Sequence, residues 1–201
     1  MISVVDIGFG NFVSVANILS KMGYDVKLER DYDKISYSDI IILPGVGRFD
    51  VFMEELKKRK LDMALINANQ NNSKILGICV GMHVLLEKSE EGNCDGLKLI
   101  KGKVKKFSSF KENIKIPHMG WNKVKIKEKE NGIFNNLGEA KFYFIHSFYT
   151  QLENEENIIG TTFHGEKFAS IINKDNIYGV QFHPEKSHYY GKKFFKNFLD
   201  A

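Results

Sequence analysis

Cys79 stands in "LGICVGMH", residues 76–83, at the end of one apolar run and just before another, with Gly77 and Gly81 two residues to either side. A residue at the carboxyl end of a parallel strand, on a tight turn into a helix, is lifted above the sheet where a ligand can reach it. The flanking glycines relieve crowding at such a turn. The partial positive charge of the helix start favours thiolate over thiol, and a thiolate so placed is a nucleophile for acyl transfer. Free cysteine is also among the most buried residue types. The local pattern alone leaves core packing and nucleophile open.

A nucleophilic thiolate needs a base. Of the histidines at 83, 118, 146, 164, 183 and 188, His183 stands apart in "GVQFHPEKS", where an apolar strand ends in a His-Pro-Glu triplet. In extended backbone, positions i and i+2 point to one side, so His183 and Glu185 can lie together, with Pro184 stiffening the turn between them. A carboxylate there fixes the imidazole tautomer and stabilises the imidazolium. A surface histidine beside a surface glutamate is the commonplace alternative. The place of the triplet just past a strand, downstream of a cysteine turn, favours a Cys79–His183–Glu185 triad.

Acyl transfer also needs donors for a developing oxyanion. "LPGVG", residues 43–47, follows another strand-like run, and its glycines let backbone amides point into a site; the amide of Val80 is a second natural donor. Alone, "PGVG" reads as a β-turn. "DIGFGNF" at 6–12 has the G-x-G of a dinucleotide loop after a strand, but Val13 takes the place of the third glycine, so the signal is weak.

The elements that must hold these residues alternate. "ISVVDIG" reads as a strand, and Phe12, Val15, Ala16 and Leu19 fall at helical spacing. "YDVKLE" and "DIIIL" read as strands, and a helix is expected over roughly 49–69 with Phe52, Leu56, Met63 and Ile66 inward. "KILGI" is the strand that ends at Cys79, and "GMHVLLEKS" reads as a short helix. This β-α alternation implies a parallel sheet covered on both faces. Beyond residue 88, "KVKKF", "WNKVKIK", "KFYFIH", "NIIGTTF", "KFASII" and "IYGVQF" are short and β-rich, and "GKKFFKNFLD" closes as a helix. The expected fold class is α/β, an open, mostly parallel but mixed sheet with helices on both faces.

The 201 residues suit one domain spanning 1–201, without repeats or a long linker. Hydrophobic residues make up 43% and charged residues 27%, the balance of a soluble globular chain rather than a disordered one. The formal charge of +4 comes from 29 basic and 25 acidic residues interleaved over the length, which reads as a solvated surface. The densest basic stretch, residues 101–118, carries no nucleic-acid recognition motif, so no nucleic acid is expected as partner. The start lacks a basic n-region and a cleavage site, and no apolar run reaches the roughly 18 residues a membrane span needs. Cys79 and Cys94 have no metal-type spacing. A cytoplasmic chain with free thiols is expected, with no membrane partner.

Together "PGVGRF", "GICVGM", "PHMGWN", "FYFIHSFY" and "GVQFHPEKS" resemble, in order and spacing, the class I glutamine amidotransferases, and the resemblance spans nearly the whole chain. It implies that Cys79 attacks the side-chain carboxamide of L-glutamine, that His183 protonates the departing ammonia and then activates water, and that Glu185 holds His183. It further implies an oxyanion site from amides at Val46, Gly47 and Val80, with Ser147 and Phe148 holding glutamine through backbone contacts. The "PGVG" and "PHMGWN" blocks point to a subfamily whose ammonia passes to a (β/α)8-barrel cyclase subunit, making a heterodimer. Asn11, Trp121, Tyr143 and Lys186 match family positions near that docking surface. No metal or organic cofactor is implied. Where the family usually carries a substrate-holding glutamine, this chain has His83, which can also donate and accept hydrogen bonds but has a shorter reach. The rival readings are a paralogous glutaminase feeding another synthase, such as a sugar-amidinating enzyme; a non-catalytic flavodoxin-like binding module; and a stand-alone cysteine hydrolase.

Overall fold

The computed structural model describes residues 1–92, 94–108, 114–127 and 134–201. Its first half follows the apolar runs. Strand β1 (Ile2–Val5) leads through α1 (Phe12–Lys21) to β2 (Val26–Glu29), then through α2 (Tyr32–Ser36) to β3 (Ile40–Gly45). Two helices, α3 (Phe49–Lys58) and α4 (Leu61–Gln70), lead to β4 (Lys74–Cys79), which turns directly into α5 (Val80–His83). β1, β3 and β4 are buried almost throughout, as strands covered on both faces must be.

The second half is β-rich: β5 (Lys88–Ser89), β6 (Gly102–Lys106), β7 (His118–Lys123), β8 (Lys125–Ile126), β9 (Lys141–His146) and β10 (Phe148–Leu152). β11 (Ile158–His164), β12 (Glu166–Lys174) and β13 (Ile177–Val180) follow, and α6 (His188–Asp200) closes the chain. Among the described residues one sheet runs β2-β1-β3-β4-β13-β12-β10-β6-β5, with β11 on β12 and β8 on β11; β7 and β9 form a separate antiparallel pair. From β2 to β13 all pairings are parallel; β13–β12, β12–β10 and β10–β6 are antiparallel. The order reverses at β1, so right-handed crossovers put α1 on the opposite face from α3 and α4. A mixed α/β sheet with helices is therefore the observed fold.

The sequence reading departs from this fold in four places. The helix expected over 49–69 is two helices, broken where Lys60 adopts a left-handed backbone conformation with φ 59°. The break resets the helical phase. Phe52 and Leu56 face the core as expected, but in α4 the inward stripe is Leu61, Ala64, Leu65 and Ala68, and Met63 is half exposed. The helix expected in "GMHVLLEKS" is the single turn α5. Strand β10 and helix α2 were not foreseen. Of the basic stretch 101–118, residues 109–113 lie outside the described residues. No helix among the described residues is long and apolar enough to cross a membrane.

Candidate active site

The carboxyl ends of β3 and β4 meet with Gly45 opposite Cys79, and α5 starts at once. That junction is too tight for side chains. A Cβ on Gly45 would lie 2.2 Å from the Gly81 nitrogen, one on Gly77 2.4 Å from the Gly81 oxygen, and one on Gly81 1.9 Å from the Leu43 oxygen. The three glycines press α5 against the strand ends and lift Cys79 onto a strained turn, with φ 55° and ψ −112°. This is the geometry of a nucleophile elbow.

Parallel pairing of β13 with β4 carries the second strand end to the same edge, Val180 opposite Ile78. Three residues on, His183 lies buried with Nδ1 2.8 Å from Glu185 Oε1. Its Nε2 has no hydrogen-bond partner among the described residues, and the Cys79 charge acts on the ring. Burial alone would lower the His183 pKa; the Cys79 charge, with the hydrogen bond and charge of Glu185, outweighs it and pushes it up to about 10. With Cys79 ionised, the arrangement favours the imidazolium form of His183. The structure thus brings Cys79, His183 and Glu185 together.

These residues open on a cavity of about 490 Å³. Val46, Gly47 and Val80 line it, with Gly47 at φ 89°, as do Ser147 and Phe148. The Ile145 carbonyl lies 4.0 Å from Cys79 Sγ. His83 also lines the cavity, but its Nε2 is 2.8 Å from Gln181 Oε1, so its side chain is engaged with the protein. Among the described residues no group of three His, Cys, Asp or Glu side chains is placed to hold a metal ion. Cys94, the other free thiol, is half-buried, and burial raises its pKa.

Next to the cavity the β7–β9 pairing sets His118 opposite His146. His146 Nδ1 lies 2.8 Å from the Phe148 carbonyl, which can only accept, so Nδ1 carries the proton and Nε2 must accept. It does so from His118 Nδ1 at 2.9 Å, leaving His118 Nε2 to accept from Asn122 Nδ2 at 3.1 Å. The chain needs both rings neutral. Burial lowers the pKa of each, His118 to about 4 and His146 well below its usual value.

Asn11, expected near the docking surface, reaches the triad: its Nδ2 donates to Glu185 Oε1 and lies 3.4 Å from His183 Nδ1. Trp121 and Tyr143 pack edge to face beside the exposed Lys186, whose Nζ lies 5.9 Å from the Tyr143 ring, around a shallow depression shared with His188. Sequence reading missed Gln181, His118 and His146. Gln181 had a usable signal, since it precedes His183 by two residues and so shares its side of the chain.

Comparison with known proteins gives one coherent set. The family model described as "Glutamine amidotransferase class-I" matches residues 3–201. The imidazole glycerol phosphate synthase subunit HisH 2 of Methanococcus maripaludis is 45% identical over 99% of this chain and 98% of its own length. The subunit HisH of Sulfurimonas denitrificans is also 45% identical, over 98% of this chain and 97% of its own. Among solved structures, a glutamine amidotransferase aligns with TM-score 0.76 at 15% identity, covering 99% of this chain and 97% of its own. PurLQS from Thermotoga maritima aligns with TM-score 0.75 at 20% identity, covering 99% and 97%. At these identities the solved structures bear on the fold alone.

Proposed function

This chain belongs to the class I glutamine amidotransferase family, and from that premise we propose that it is the glutaminase subunit of imidazole glycerol phosphate synthase, acting in histidine biosynthesis in the cytoplasm. Near-full-length similarity at 45% identity to two subunits of that name carries the choice of pathway. The buried Cys79–His183–Glu185 arrangement carries the chemistry.

Cys79 Sγ attacks the side-chain carboxamide carbon of glutamine, forming a C–S bond. The carbonyl oxygen takes the negative charge and is met by backbone amides at Val46, Gly47 and Val80, which line the cavity. His183 begins as imidazolium and gives its proton to the leaving nitrogen, so ammonia departs as the C–N bond breaks. With sulfur now an uncharged thioester, the charge that raised the His183 pKa is gone. The neutral ring then takes a proton from water as water attacks the thioester, releasing glutamate and regenerating the thiolate–imidazolium pair. Glu185 keeps the ring oriented and balances its charge throughout. Ser147 and Phe148 hold the substrate, while His83 Nε2 is bonded to Gln181.

Ammonia passes to a (β/α)8-barrel cyclase subunit docked over the cavity mouth, against Asn11, Trp121, Tyr143 and Lys186, and Asn11 also donates to Glu185. The exposed Trp121 ring, the half-buried Tyr143 ring and the lysine suit an interface with a polar rim. The test is ammonia release from glutamine by the native chain and by Cys79→Ala, with and without the cyclase and its nucleotide ligand. Cys79-dependent release stimulated by that cyclase is expected. Release it never stimulates would redirect the search to another acceptor, and no Cys79-dependent release would overturn the glutaminase reading.

A further inference from the structure

Gln181 lies outside the triad and the oxyanion strip, yet its side chain joins two residues of the cavity. β13 and β4 pair with Val180 opposite Ile78, so one residue further the two chains present Gln181 beside Cys79. Gln181 is fully buried. Its Oε1 is 2.8 Å from His83 Nε2, and its Nε2 is 3.9 Å from Cys79 Sγ, within reach of the larger sulfur atom. A buried amide is costly to desolvate unless its polar atoms are matched, and an apolar residue would fill the position without that cost.

The direction of the chain follows from His83. Burial holds its pKa down at about 4, so at neutral pH the ring is uncharged and carries one N–H. Its Nδ1 is buried without a partner among the described residues, where a proton would be stranded. A proton on Nε2 meets Gln181 Oε1 instead. That tautomer turns the amide carbonyl to His83 and the NH2 to sulfur. The other titratable groups around Sγ are His183 with Glu185 from the turn after β13, and His146 from β9, while Glu91 and Lys186 line the cavity.

We infer that Gln181 donates a hydrogen bond to the Cys79 thiolate and that His83 holds the amide in the donating orientation. The nucleophile then has a stabilising donor besides His183. Gln181 touches a reacting atom, whereas His83, acting through it, is a positioning residue. The inference rests on the reading of Cys79 as nucleophile.

The experiment is alkylation by iodoacetamide, followed at Cys79 by peptide mass spectrometry over a range of pH, in the full chain and in Gln181→Met, His83→Leu and His83→Gln. Gln181→Met is expected to slow alkylation about tenfold at neutral pH, the scale of a hydrogen bond to a charged group, with the gap closing at alkaline pH where every thiol is ionised. His83→Leu moves the profile in the same direction. His83→Gln supplies an amide donor in place of the imidazole and restores the native profile. A native profile in Gln181→Met, or slowing equal at every pH, overturns the inference. If Gln181→Met fails to fold, His83→Leu decides by the same criterion. Glutamine hydrolysis measured alongside keeps the levels apart: lack of Cys79-dependent hydrolysis overturns the glutaminase reading, while alkylation still tests the hydrogen bond on sulfur.

Discussion

Asn11 stands immediately before α1, where asparagine ordinarily caps the helix with its side chain, and here it makes no such bond. Its amide is spent on Glu185 instead. Replacing it should therefore disturb the triad more than the helix. For Asn11→Leu the expected result is a kcat about tenfold lower with KM little changed, the scale of one hydrogen bond to a buried carboxylate. A raised KM at unchanged kcat would make Asn11 a binding residue instead. His83 is the complementary case, since a glutamine there can also donate to Gln181. His83→Gln should keep turnover within about a factor of ten of native, and complete loss of glutaminase activity would give His83 a role in the chemistry itself.

At the scale of elements, the site depends on how closely α5 packs on the ends of β3 and β4. Gly81→Ala would put a Cβ 1.9 Å from the Leu43 oxygen, a backbone atom that cannot swing aside. The expected cost is about 3 kcal/mol or more, measured as a lowered urea midpoint, with glutaminase activity lost in whatever fraction still folds. Native-like stability in that variant would mean the strand ends are not locked in this way. This junction was legible in the sequence because Cys79, His183 and Glu185 each sit in a short motif at the end of an apolar run. Gln181 and the His118–His146 pair were harder to read. Their partners are set by β13–β4 and β7–β9 register, which joins residues far apart in the chain. The break at Lys60 lacked any signal, since no glycine or proline marks it and a lysine adopts the left-handed turn. A continuous helix through that break would turn Met63 inward; the break resets the phase and leaves it half exposed.

Over the whole molecule, the buried histidines titrate in opposite senses, and together they shape stability against pH. His83 has an unfolded pKa near 6.5 and a folded one of about 4 because burial disfavours its charge. As pH falls between those values the unfolded chain takes up a proton that the folded chain refuses, so stability drops by about 3 kcal/mol for this residue alone. His118 and His146, held neutral by burial and by their hydrogen-bonded chain, act in the same direction. His183 acts in reverse. Its folded pKa is raised to about 10, so its stabilisation is complete below about 6.5 and is lost as pH rises through about 10. The unfolding free energy is therefore expected to peak near neutral pH and fall on both sides. Urea melts across pH would check this on three proteins. His83→Gln should soften the acid limb and leave the alkaline one alone. Cys79→Ala, which removes the charge that raises His183, should flatten the alkaline limb and leave the acid one. Parallel profiles for all three would show that neither His83 nor the Cys79–His183 pair governs the response. A soft acid limb in His83→Gln together with an unchanged alkaline limb in Cys79→Ala would assign the raised pKa of His183 to Glu185 rather than to the thiolate.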